Sequence, residues 1–180
     1  MSVLHTPRLR LEPMVPAHRL GLNHLNSDPV VMRYLGGRPE TPEETDAAIA
    51  RVQARWASLG FGWWSFIEQG SEEIVGAGCI QHLAHIAGEP LEIGWRLRQD
   101  RWGRGLASEA AQAMGDFAFR TQPIELLVSV CHPENENSWR VMARLGMRDV
   151  GLSRAYDMDV RRYEISRAEW EARAAARPAR

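Results

Sequence analysis

The run Gln99-Asp100-Arg101-Trp102-Gly103-Arg104-Gly105-Leu106-Ala107-Ser108-Glu109-Ala110 concentrates residue types suited to holding a phosphate ester. Gly103 and Gly105 permit a tight turn and let a ligand approach main-chain amides closely. Helical spacing follows, with Leu106, Ala110, Met114 and Phe117 on one stripe, so the glycines stand just ahead of a helix. A helix N-terminus offers unpaired N–H groups and a partial positive charge, a natural seat for a diphosphate. Arg98, Arg101 and Arg104 add cationic donors nearby. A bare G-x-G also fits an ordinary strand-to-helix connection; the flanking elements and arginines together favour phosphate. A dinucleotide fingerprint is excluded, because Ser108 occupies the third glycine position and the motif is far from the first strand.

Composition narrows the chemistry further. The 180 residues carry 22 basic and 23 acidic side chains, a net charge of −1, which argues against nucleic-acid binding through bulk positive charge. Every basic residue is arginine. Without lysine there is no Schiff base, no pyridoxal-phosphate anchor and no Walker-type phosphate loop. One domain spanning 1–180 is expected, since a globular domain runs to roughly 100–200 residues. The two cysteines, Cys79 and Cys131, lie in apolar runs, which fits buried thiols and a reducing, cytoplasmic setting. Cys131 beside His132 does not make a nucleophile–base pair, because adjacent strand residues point to opposite faces. No apolar run approaches the ~20 residues of a membrane-spanning helix, and the N-terminus lacks a signal-peptide core.

These residues need a scaffold, and the hydrophobic periods describe one. Residues 8–12 alternate as a first strand, followed by short helical stretches over 16–26 and 28–35, broken at Asp28-Pro29 and Gly36-Gly37. Thr41-Pro42-Glu43-Glu44 combines an N-cap, a first-turn proline and a capping-box glutamate, opening a helix that Gly60 ends. Strands are expected at 63–68, 74–82 and 91–98, then the helix at 104–120 and an apolar central strand at 124–130. A short helix ends at Leu145-Gly146, strands follow at 147–152 and 158–165, and a last helix runs from Ser166 into a frayed tail. The order describes an α/β domain whose mixed sheet is largely antiparallel, with 91–98 and 124–130 parallel neighbours across the helix between them.

With that frame, WGRGLASEA, behind EIGWRL and ahead of NENSWRVMARLGM, resembles the GNAT N-acetyltransferase superfamily. More narrowly it resembles the branch of RimJ/RimL-like ribosomal-protein N-terminal acetyltransferases. The likeness runs from TPRLRLEPM to YEISRAEW and is most specific over 92–110 and 135–147. It implies a sheet of roughly seven strands flanked by helices, with a splayed central parallel pair. It also implies acetyl-CoA as co-substrate, no metal, and direct acetyl transfer to a primary amine in a ternary complex. The acceptor would be a protein N-terminus, possibly ribosomal in kind, or a small amine, and the family includes homodimers.

By this resemblance the diphosphate loop falls on Asp100 to Ala107, with Gly103, Gly105 and Ala107 matching and Asp100 departing from the usual arginine or glutamine. Asp100 is expected to contribute only its backbone, since a carboxylate facing a diphosphate repels it. Trp95 and Leu97 would bond the pantetheine arm through main-chain groups, with Arg98, Arg101, Trp102, Arg104 and Leu106 completing the cofactor side. The second motif falls on Asn135, Ser138, Arg140, Val141, Leu145, Gly146 and Met147. It implies Asn135 as a pantetheine contact and Ser138 as the acid for the departing thiolate. Asparagine is equally a good helix N-cap.

Glu92 matches a position where some members keep a catalytic glutamate, acting directly or through a water; a structural carboxylate is the plainer reading. Asp157 and Asp159 would either hold a cationic substrate or lie in a solvated turn. His82 and His85 lack metal-ligand company and are read as structural. Trp63, Trp64, Trp95 and Trp102 cluster around the expected cleft, where they could line an acceptor pocket, with core packing the plainer assignment for most of them; Trp56 fits a helix core stripe, and Trp139 or Trp170 would cover apolar surface. Residues 14–40 and the 153–159 loop are expected to form the acceptor side. A non-catalytic acyl-CoA-binding module on the same fold is the alternative function; a nucleotide-binding or methyltransferase function fails on the motif's position.

Overall fold

The computed structural model describes residues 2–36 and 38–176; Gly37 and the tail residues 177–180 lie outside them. Eight strands form one sheet: β1 (Leu4–His5), β2 (Leu9–Pro13), β3 (Trp63–Glu68), β4 (Glu73–His82), β5 (Leu91–Leu97), β6 (Leu126–Cys131), β7 (Arg148–Ala155) and β8 (Met158–Ser166). Their spatial order is β1-β2-β3-β4-β5-β6-β8-β7. Seven of these match the expected strands. The eighth is the two-residue β1, too short to leave an alternating pattern in the sequence.

The helices are α1 (Arg19–Asn26), α2 (Pro29–Met32), α3 (Pro42–Leu59), α4 (Leu106–Thr121), α5 (Glu136–Arg144) and α6 (Arg167–Ala175). Helix α3 begins with the anticipated box: Thr41 Oγ1 accepts from the Glu44 amide at 3.2 Å and the Glu44 carboxylate accepts from the Thr41 amide at 2.8 Å. It ends at Gly60, whose φ of 75° is the left-handed cap conformation. Ile49, Val52 and Trp56 are its buried face. The same box recurs at α6 with Ser166 and Glu169.

Only β5 and β6 are parallel, and their register holds just two pairs, Leu91↔Leu127 and Glu92↔Val128. Beyond Glu92 the strands part. Strand β6 continues against β8 from Leu126 to Cys131, while β5 stays with β4 up to Leu97. A fork opens in the middle of the sheet. Strand β6 starts at Leu126 rather than Ile124, because the carbonyls of Ile124 and Glu125 are taken by the Arg167 side chain and amide at the start of α6.

Helix α4 lies under the fork. Its Ala110, Ala111, Met114 and Ala118 are fully enclosed, and Trp64 packs edge to face with Trp56 and Phe117 at centroid distances of 4.9 and 5.2 Å. Of the two readings open for Trp64, the core one holds: it lies opposite Pro13 in β2 and packs against Phe117. Helix and sheet meet this closely because Gly78 has no side chain. A Cβ there would lie 2.5 Å from Phe66 Cζ and 2.7 Å from the Gly94 carbonyl oxygen. Gly78→Ala is expected to cost about 1–3 kcal/mol through overpacking, read as a lower urea midpoint with an unchanged slope.

Candidate active site

The fork leaves main-chain groups without a neighbouring strand. The Ile93 carbonyl accepts from Ser129 Oγ at 2.8 Å, and the Leu97 carbonyl accepts from the Trp102 indole N–H at 2.9 Å. Alternate residues of a strand direct their peptide groups to the same side, so the N–H and C=O of Trp95, between these two, face the gap. Trp95 thus presents the main-chain groups that its expected role would use. Leu97 offers less, since its carbonyl is already bonded to Trp102.

Below the fork, the connection from β5 to α4 presents its backbone outward. Gly103 and Gly105 adopt φ values of 73° and 79°, and a Cβ on Gly103 would meet only open space. Among the described residues, the amides of Gly103 to Ser108 have no hydrogen-bond partner, and no side chain caps α4. Glu109, an acid in the first turn, does not fill that place. It is turned toward β2, accepting from Thr6 Oγ1 at 2.6 Å, from the Arg8 amide at 2.8 Å and from Arg8 Nε at 2.7 Å. Six successive donors at the start of a 16-residue helix make an anion seat built from backbone.

The neighbouring arginines do something other than the sequence suggested. Arg98 pairs with Asp100 at 2.8 Å and Glu73 at 3.2 Å; Arg101 pairs with Glu68 at 3.0 Å and also binds Asp100 and Glu73; Arg104 pairs with Glu68 at 3.1 Å. These guanidinium groups brace the loop against the β3–β4 hairpin, their charges already matched by carboxylates. Asp100 is oriented as expected: its carboxylate is occupied by Arg98 and Arg101, and that pairing holds its pKa below the usual value. A different cation stands at the seat. Arg144, at the end of α5, donates from Nε to Ser108 Oγ at 3.1 Å and has no carboxylate partner among the described residues. Helical spacing put it on α5, but nothing in the sequence tied α5 to the first turn of α4.

Glu92 is the last residue of β5 in register with β6, so its side chain sits at the apex of the fork. It is 6% exposed. It accepts hydrogen bonds from the Tyr156 phenol and, at 3.4 Å, from Gln81 Nε2; Gln81 Nε2 also donates to the Tyr156 oxygen at 2.8 Å, and Gln81 Oε1 accepts from the Trp63 indole at 3.0 Å. Burial pushes the Glu92 carboxyl up to about 7, against the pull of Tyr156 and Gln81 toward the charged form. Burial and the Glu92 charge hold the Tyr156 phenol well above its ordinary value, so it remains a donor. A carboxyl poised near neutrality at a strand fork can take a proton at physiological pH.

Tyr156 was not foreseen. It occupies, with Asp157, the two central positions of the β7–β8 turn, both at positive φ (53° and 58°), where asparagine and glycine are the usual occupants. A bulky aromatic residue held in that conformation was the available signal. Asp157 and Asp159, by contrast, are the solvated side of the same turn: Arg154 pairs with Asp159 at 3.2 Å and donates to the Asp157 carbonyl at 2.9 Å. His85 packs edge-on against Tyr156 at 5.6 Å, supporting that ring. Among the described residues no histidine, cysteine or carboxylate group forms a metal-binding cluster.

The α5 motif lies on the other arm of the fork. Asn135 Oδ1 caps the helix by accepting from the Ser138 amide at 3.3 Å, while its Nδ2 carries no hydrogen bond among the described residues. Ser138 is half-buried and reaches the Cys131 thiol, which burial raises to about 11, leaving that sulfur protonated and no nucleophile at neutral pH. Val141, Leu145 and Met147 are core residues. Gly146, at φ 82°, faces the Arg173 side chain closely. Arg140 pairs with Glu136 at 2.8 Å and stacks on Trp139, away from any cofactor role. Trp102 is exposed apart from its bond to Leu97, and Trp170 donates to Asp116.

Residues 8–148 match the acetyltransferase (GNAT) domain, and the chain belongs to this acetyltransferase family. The Bacillus subtilis N-acetyltransferase YnaD, itself uncharacterized, is 42% identical over 126 residues, 70% of this chain and 71% of its own. The FsC-acetyl coenzyme A-N(2)-transacetylase of Aspergillus fumigatus is 30% identical, covering 93% of this chain and 77% of its own. An acetyltransferase structure from Agrobacterium tumefaciens aligns over 92% of this chain and 94% of that one, with TM-score 0.78 and 28% identity. More distantly, the ribosomal protein uS5-alanine N-acetyltransferase of Escherichia coli is 26% identical over 94 residues, 52% of this chain and 48% of its own.

The Glu92 shift has a consequence for stability. A carboxyl whose folded pKa lies above its value of 4.5 elsewhere binds more protons in the folded state, so its contribution is full below about 4.5 and is lost as pH rises through about 7. Relative to Glu92→Gln, the wild-type protein is expected to lose on the order of 3 kcal/mol between pH 4.5 and 8. Urea unfolding of both proteins at pH 5 and pH 8 measures the difference.

Proposed function

We propose that this protein is an acetyl-CoA-dependent N-acetyltransferase that moves the acetyl group directly to a primary amine. The observation that carries the proposal is the coincidence of two features at one fork. A backbone seat for a diphosphate lies below it, and a buried carboxyl with a pKa near 7 lies at its apex. Acetyl-CoA is the co-substrate that supplies the thioester. The amides of Gly103 to Ser108 and the Arg144 guanidinium hold its diphosphate, with Arg98, Arg101 and Arg104 bracing the loop. Main-chain groups of Trp95 and the free Nδ2 of Asn135 bond the pantetheine arm.

The acceptor enters as an ammonium ion, because amines titrate near pH 8–10. Glu92 takes the proton, directly or through one water, while the Tyr156 phenol stabilises the carboxylate that does so. The neutral nitrogen attacks the thioester carbon; the C–N bond forms and the C–S bond breaks. A main-chain amide at the fork stabilises the oxygen as it becomes negative. The nitrogen's second proton passes to the departing sulfur, to which Ser138 donates a hydrogen bond, so the amide is left neutral and CoA leaves as a thiol of pKa near 8.5. Protein N-termini and small amines are both acceptable to this chemistry, and the relative named for uS5 alanine supports the former class.

With acetyl-CoA and a panel of amines and N-terminal peptides, free thiol is expected to form above the protein-free blank. Glu92→Gln should lower kcat/KM by about 10²–10⁴-fold. It should also remove the limb of the pH profile centred near 7, leaving only the titration of the amine itself. Arg144→Gln should raise KM for acetyl-CoA several-fold with little change in kcat. Binding of acetyl-CoA without turnover, indifferent to Glu92→Gln and Ser138→Ala, would instead identify a non-catalytic module.

A further inference from the structure

The sheet face that carries Glu92 holds a second charged group that the steps above leave unused. Strand register aligns three rows on it: Gln81 with Glu92, then Trp63 with Cys79 and Gly94, then Ser65 with Ala77 and Arg96. Arg96 starts in the third row, but its guanidinium carbon lies 4.8 Å above the Trp63 ring, in the second. Alanine, cysteine and glycine at 77, 79 and 94 leave room for it over Trp63. The Trp63 indole bonds Gln81, and Gln81 bonds Glu92, so cation and carboxyl share one face of the sheet.

Arg96 differs from the arginines of the phosphate loop. Its Nε is buried without a partner, and among the described residues no carboxylate pairs with it and no acceptor bonds it. Glu40 acts on it only through its charge, while the Glu40 oxygen is held at 2.8 Å by Asn26 Nδ2. Ser65 Oγ, in the row of Arg96, and Asn26 Oδ1, on α1, are likewise buried with no partner. A buried guanidinium nitrogen and a buried hydroxyl left unpaired are costly, and such groups are ordinarily satisfied. Arg96 and Ser65 lie on the sheet face that carries Glu92.

We infer that Arg96 is an anchor for a carboxylate on the acceptor, and that the substrate class is the small α-amino acid. The inference rests on the acetyl-transfer reading. An α-amino acid carries both groups this face can address: an amine for Glu92, directly or through one water, and a carboxylate for the guanidinium, each held by a hydrogen bond of about 2.9 Å. The amine then lies at the base and the carboxylate on Arg96, with Trp63 as an apolar floor. The backbone at a protein N-terminus carries no carboxylate beside its amine.

The test compares glycine, alanine, methionine and phenylalanine with their primary amides as acceptors, following thiol release and referring rates to the neutral-amine fraction. Free acids are expected to exceed the amides in kcat/KM by about tenfold or more, the value of a charge-assisted hydrogen bond. That ratio should fall to near one in Arg96→Gln and recover in part in Arg96→Lys, with KM for acetyl-CoA unmoved. Equal acetylation of wild-type acids and amides overturns the inference without needing any variant to fold, and leaves acetyl transfer standing. So does a preference for N-terminal peptides, or a preference for acids that survives Arg96→Gln. Absence of thiol release with every amine, peptides included, removes the acetyl-transfer reading and this one with it.

Discussion

The parting of β5 and β6 after Glu92 is the constraint on which the rest depends. A parallel pair normally continues its ladder, because unpaired peptide groups in a sheet interior are costly. Here the ladder stops after two pairs, and each strand is retained by its outer neighbour. Helix α4 packs against β4 and β5 beside the gap, where Met114 comes close to the bare backbone of Gly78. The opening creates unpaired peptide groups and a desolvated apex in one step, and a thioester and a base need those two environments side by side.

Charge is distributed accordingly. The cationic loop that the sequence suggests proves neutralised: Glu68, Glu73 and Asp100 absorb Arg98, Arg101 and Arg104. The anion seat is left to backbone dipoles, which cannot collapse onto a neighbouring carboxylate as a flexible guanidinium does. On the opposite face the balance reverses. Glu92 is buried and Arg96 is half-buried with its Nε enclosed; among the described residues neither has an oppositely charged side chain bonded to it, so each is available to a group that arrives from outside.

Elements built on local rules were legible from the chain alone. The capping box at Thr41, the terminating Gly60, the stripe from Leu106 to Phe117 and the seven longer strands all follow from residues close in sequence, as does the parallel pairing of β5 with β6. The G-x-G turn ahead of α4 and the place of Glu92 on β5 were legible for the same reason, while the roles expected of them came from the family likeness. What escaped was set by distant contacts. Tyr156 reaches Glu92 across 64 positions, Arg144 reaches Ser108 across 36, and the loop arginines find carboxylates on β3 and β4 that no local pattern links to them. Which of the tryptophans are core and which line the cleft was left open, because alternation says which residues share a face, not which face meets the core.

The most direct test of the fork is to map backbone amide shifts by ¹⁵N–¹H NMR while acetyl-CoA is added. The account predicts the largest changes at Trp95 and along Gly103 to Ser108, with the β7–β8 turn and β2 nearly still. Saturating binding that leaves those amides unmoved and perturbs another surface would contradict it.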